Sequence, residues 1–77
     1  MTFKHLPSMN ARQVIRILHS IGFVEDRQKG SHLVMHNISN NTRVVIPIHG
    51  GTTIKKSLLF KIIKDTKLSV EEFLKLR

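Results

Sequence analysis

Two turn signals bracket one short apolar run, and that bracketing constrains the fold more than any other feature of the sequence. Gly30-Ser31 precedes the run and Ser39-Asn40-Asn41 follows it, leaving His32-Leu33-Val34-Met35-His36-Asn37-Ile38 between them. A run of this kind between turns reads as a strand, and turns this tight return the chain alongside itself. The flanking segments must therefore pair with it from either side. Residues 23–29, Phe-Val-Glu-Asp-Arg-Gln-Lys, have too few apolar positions for a central strand and read as a short edge strand. Residues 43–48, Arg-Val-Val-Ile-Pro-Ile, supply the third, completing an antiparallel meander. Pro47 has no N–H to give to a ladder, which places it at the strand's end or on an edge.

Helical periodicity surrounds this sheet. Val14, Ile17, Leu18 and Ile21 recur at i, i+3, i+4 and i+7, the spacing of one buried stripe, and Gly22 supplies the stop. Ser8 or Asn10 can start that helix; Asn10 has Gln13 three residues on, as a capping box requires, while Pro7 favours the earlier start. Gly50-Gly51 breaks the third strand. Thr52 or Thr53 then caps a second helix with Ile54, Leu58, Leu59, Ile62 and Ile63 on its buried side. Ser69 and Glu72 form a capping box for a third, short helix, with Leu68 and Phe73 spaced as a hydrophobic staple. The expected architecture is one α+β domain over residues 1–77, in the order α-β-β-β-α(α), with helices on one face of a three-stranded antiparallel sheet and residues 1–7 as a lead-in.

Thirteen Lys and Arg against five Asp and Glu give a net charge of +8 on 77 residues. A surface that positive favours a polyanionic partner, or serves solubility alone. There is no cysteine, which excludes disulfides and thiolate metal sites. The first residues lack the apolar core of a signal peptide, and no apolar run approaches the ~20 residues of a transmembrane helix. A soluble cytoplasmic protein is expected.

Candidate chemistry gathers at the strand ends. Arg27 and Lys29 precede the first turn, Ser31 lies in it, His32 follows it, and His49 ends the third strand ahead of Lys55 and Lys56. Two lysines at a helix start oppose the helix dipole, so they are better explained by a bound phosphate than by helix stability, although an exposed pair costs little. Arg12, Arg16 and His19 form a separate stripe on the first helix, either a solvated face or a phosphate-tracking one. Histidine titrates near neutrality and serves as general acid or base. With lysines to hold phosphate charge, His32 and His49 could cleave RNA by internal transfer without a metal or cofactor. Each also has a plainer reading: His32 shares a strand face with Val34 and His36, where a packed or surface histidine is the commoner case. His36, His5 and His19 read as structural or surface residues. The histidines lack the spacing and carboxylate support of a metal site.

Gly30-Ser31-His32 with its apolar strand, Val45-Ile46-Pro47-Ile48-His49-Gly50-Gly51, the Lys55-Lys56 helix start with Leu58 and Ile62, and Leu68-Ser69-Val70-Glu71-Glu72-Phe73-Leu74 together resemble the HicA toxin family. The resemblance runs from about Ser8 to Leu76. It implies a fold similar to a double-stranded RNA-binding domain and an mRNA interferase that halts translation until a HicB antitoxin masks it. It implies His32 as the catalytic histidine after Gly-Ser, and matches His49 to the histidine after the proline-bearing strand. A monomer when free, with an acidic antitoxin and RNA as partners and no membrane, is the corresponding expectation. The alternative in another class is a non-catalytic double-stranded RNA-binding module, which would use the same basic residues.

Overall fold

In a computed structural model, which describes residues 5–48 and 53–77, the meander is the centre of the molecule. Strands β1 (Phe23–Lys29), β2 (His32–Asn37) and β3 (Thr42–Pro47) pair antiparallel in the order β1-β2-β3. Helix α1 (Ala11–Ser20) precedes them, and α2 (Lys56–Asp65) and α3 (Val70–Leu74) follow. The expected α+β order is the observed one.

The pleat sorts the strand residues. Leu33, Met35, Val44 and Ile46 point to one face and are buried there with Val14, Ile17 and Leu18 of α1, Leu59, Ile62 and Ile63 of α2, and Phe73 of α3. Each such side chain contributes about 1.5–3 kcal/mol by leaving water. The alternate residues, His32, Val34 and His36 on β2 with Arg43, Val45 and Pro47 on β3, point to the other face, where each is partly or fully exposed. Between Glu25 and Arg27 the register of β1 shifts by a bulge. That extra residue sets Val24, Arg27 and Lys29 opposite His36, Val34 and His32, and so on the open face.

The ends of the elements show where local chemistry prevailed. Asn10 caps α1, with its side chain accepting from the Gln13 N–H at 2.9 Å while Gln13 reaches back to the Asn10 N–H at 2.8 Å. Asn10, and not Ser8, is the cap. Gly22 follows α1 with φ +99° and lies against Asn37, whose amide donates to the Ile21 carbonyl at 3.0 Å. This buried asparagine joins the end of β2 to the end of α1. Ser69 and Glu72 make the reciprocal capping box of α3. Ile38, expected in the second strand, falls in the turn after it and is exposed.

The start of α2 differs from expectation. Lys55 is the N-cap and makes no side-chain cap bond. Thr53 instead pairs with Asn10 in an isolated antiparallel bridge, and Ile54 N–H donates to the Met9 carbonyl at 2.9 Å. The pairing holds residues 53–54 extended and delays the helix, so Ile54 is buried ahead of α2 and not on it. Thr52, the other candidate cap, lies outside the described residues.

Candidate functional site

The corner between β1 and β2 is a two-residue loop. Gly30 takes φ +59°, the conformation that the first central position of a type II′ hairpin requires and that glycine adopts without steric cost. The turn sets Lys29 and His32 opposite each other, and β3 places Pro47 on the other side of His32. Past the end of the paired register, Ile48 N–H donates to the Ser31 carbonyl at 2.7 Å and keeps β3 beside the corner. Ser31 thus has a structural bond through its backbone, and His32 stands exposed on the central strand.

Helix α2 runs along the β3 side of the sheet, and a groove of about 370 Å³ lies between them. His32, Arg43, Val45 and Pro47 form the sheet wall. The last three alternate along β3, so the pleat brings them to one side. Leu58, Lys61 and Asp65 form the facing wall, at i, i+3 and i+7 on one stripe of α2. The groove therefore combines a histidine, two cations, one carboxylate and an apolar lining.

Both cations are already engaged with carboxylates. Lys61 Nζ lies 2.9 Å from Asp65 across one helical turn, and Arg43 Nε lies 3.6 Å from Asp26 on the bulged part of β1. These are solvent-facing pairs, which contribute about 0–1 kcal/mol and exchange readily. Two other histidines are tied elsewhere. His36 shares the Oδ1 of Asn41 at 2.9 Å, and His19 bonds Glu25 at 2.7 Å on the helix side of the sheet. The His19 hydrogen bond holds the Glu25 carboxyl below its ordinary value.

The remaining nominated residues are spread more widely. Arg12 and Arg16 are exposed on α1, whose buried side packs on the core face, so the sheet separates them from His32. Arg16 borders a smaller hollow with Gln13 and Arg77. Lys55 and Lys56 are exposed at the start of α2, within a turn of Leu58 in the groove wall. His49 lies outside the described residues. The structure thus brings Lys29 next to His32 and leaves the α1 arginines on the opposite side.

Arg43, Lys61 and Asp65 were not among the residues nominated from sequence. Their signal was present as periodicity, the outward alternation of residues 43, 45 and 47 and the stripe of residues 58, 61 and 65. Periodicity gives the facing of each element but not which element lies beside which. Among the described residues, no cluster of three His, Cys, Asp or Glu side chains is placed to hold a metal ion, and no helix is long and apolar enough to cross a membrane.

No curated protein matches the chain. A family model described as the HicA toxin of bacterial toxin-antitoxin systems matches residues 11–68, from the start of α1 through α2 to the approach to α3. That match takes in well over half of the sequence, including the Gly30 corner, His32 and both walls of the groove. The chain belongs to the HicA family, the toxins of bacterial toxin–antitoxin systems.

Proposed function

We propose that this toxin is an endoribonuclease that cleaves mRNA without a metal, with His32 as its principal acid or base. The observation that carries the reading is the setting of His32: exposed at a strand end, with Lys29 as its cross-strand neighbour and Arg43 and Lys61 in the same groove. In cleavage by internal transfer, a base removes the 2′-hydroxyl proton and O2′ attacks phosphorus. The P–O5′ bond breaks as an acid protonates O5′, leaving a 2′,3′-cyclic phosphate and a 5′-hydroxyl. His32 takes one of these proton transfers, His49 assists, and Lys29 stabilises charge on the phosphorane. Arg12, Arg16, Lys55 and Lys56 contact the RNA backbone farther from the reacting bond, and Ser31 presents its turn to it.

A HicB-like acidic antitoxin neutralises the toxin by covering the basic open face, which at +8 it can approach by charge and block by bulk. The placement of Arg12, Arg16, Lys55 and Lys56 on the helices also suits a double-stranded RNA-binding module that lacks catalysis.

Replacing His32 with Ala tests the choice. One acid–base group contributes about 10²- to 10⁴-fold, so His32→Ala should lose RNA cleavage and growth arrest to that degree while its melting curve stays that of the parent. Full toxicity of His32→Ala would exclude the assignment, and binding without shortening of RNA by the parent would favour the module. Cleavage should survive EDTA; its loss would point to a metal nuclease.

A further inference from the structure

A surface built only to hold phosphates would be cationic throughout, and the groove between β3 and α2 is not. Val45, Pro47 and Leu58 give it apolar sides, and Asp65 adds a carboxylate that repels phosphate. Val45 is 48% exposed, so its apolar surface is open to a ligand. Apolar sides accept the flat face of a nucleobase, and a carboxylate accepts hydrogen bonds from base N–H groups, as Asp and Glu do from the cytosine amine. Arg43 on the sheet wall and Lys61 on the helix wall supply positive charge for the phosphates that flank such a base. At about 370 Å³ the groove lies near the lower end of the ~300–1,000 Å³ typical of small-molecule pockets.

We propose that this groove is a subsite for a single unpaired nucleotide of an RNA strand, adjacent to the phosphate on which His32 acts, with Asp65 reading the base. The proposal rests on the ribonuclease reading above and adds to it the substrate class, single-stranded RNA. In a duplex the Watson–Crick edges are paired and the bases stacked inward, so neither the apolar sides nor Asp65 could be reached. Binding proceeds by exchange. Arg43 leaves Asp26 and Lys61 leaves Asp65 for the flanking phosphates, and Asp65 turns to the base edge. Guanine, which presents a ring N–H beside an amine, fills both oxygens of a carboxylate; cytosine and adenine offer an amine; uracil offers only its ring N–H.

The test is fluorescence anisotropy with labelled 2′-fluoro RNA, which lacks the attacking hydroxyl and so stays intact. The probes are oligouridine, the same strand with one central guanosine, cytidine or adenosine, and a duplex of equal length. Single strands should bind the unmodified protein more tightly than the duplex, and one guanosine should strengthen binding roughly 5- to 100-fold over oligouridine. Asp65→Ala should erase that base preference, and Val45→Glu should weaken all single strands about tenfold. Lys61→Ala serves as a second groove variant should Val45→Glu melt abnormally, and should weaken every strand without altering the preference. Equal binding of duplex and single strand, or unchanged preference in Asp65→Ala, overturns the subsite. A protein that cuts natural RNA but shows no such preference refutes the subsite alone; one that shows the preference and never cuts refutes the ribonuclease reading alone. Failure to bind any of the probes refutes the subsite as well.

Discussion

The two faces of the sheet are built from the same three strands and differ in almost every other respect. On the core face, Leu33, Met35, Val44 and Ile46 are buried in one cluster with residues of all three helices. On the open face, Lys29, His32, Arg27 and Arg43 stand among Val34 and Val45. One face specifies the fold and the other is free to carry chemistry, because the pleat lets neighbouring residues on one strand answer to different demands. Ile46 and Val45 are adjacent in sequence and are 0% and 48% exposed.

That contrast is sharpest in stability. Ile46→Ala should cost about 2–5 kcal/mol, a large share of the roughly 4–12 kcal/mol expected for a domain of this length, whereas Val45→Ala should stay within about 0.5 kcal/mol. Urea denaturation of both variants measures the difference, and equal losses would mean that the open face is not open. At the end of β2, Asn37→Ala should cost about 1–3 kcal/mol by stranding the Ile21 carbonyl, although Asn37 is polar. A neutral result there would restrict the core face to its apolar residues.

The smallest effect concerns the exposed capping box at the start of α3. The Ser69 N–H donates to the Glu72 carboxylate at 2.9 Å and holds its pKa below the ordinary 4.5. A depressed carboxyl contributes stability above its unfolded pKa and loses it as pH falls through the folded value. The contribution is thus present at neutral pH and fades below about 4.5. Glu72→Gln keeps the capping geometry and removes the titration, so its melting temperature should fall less steeply than the parent's on acidification below that point. Parallel curves would show that the box contributes nothing through charge.

Much of this was legible in the sequence, for identifiable reasons. The strands and the Ser69 box are set by contacts between residues a few positions apart, and local chemistry suffices to read them; the same chemistry narrows the first cap to Ser8 or Asn10, between which the structure chooses Asn10. The start of α2 was not legible, because threonine after Gly-Gly fits a cap as well as an extended bridge. The choice was made by Met9 and Asn10, more than forty residues earlier in the chain. The histidine corner was found through its turn, but the groove that gives it company was not. Its walls come from β2, β3 and α2, and only tertiary packing puts residues 32, 43 and 61 together.

The bridge between Asn10 and Thr53 has a consequence for how the molecule assembles. It closes a loop that contains α1 and the entire meander, and closing so long a loop in an unstructured chain carries an entropic cost that grows with its length. Hairpin contacts are local and shorten that loop first. The clasp is therefore expected to form after the transition state, so that its loss should speed unfolding and leave the folding rate almost unchanged. Replacing the Ile54 amide, whose N–H donates to the Met9 carbonyl, with a backbone ester keeps every side chain, and stopped-flow chevrons of that variant should show the change in the unfolding limb.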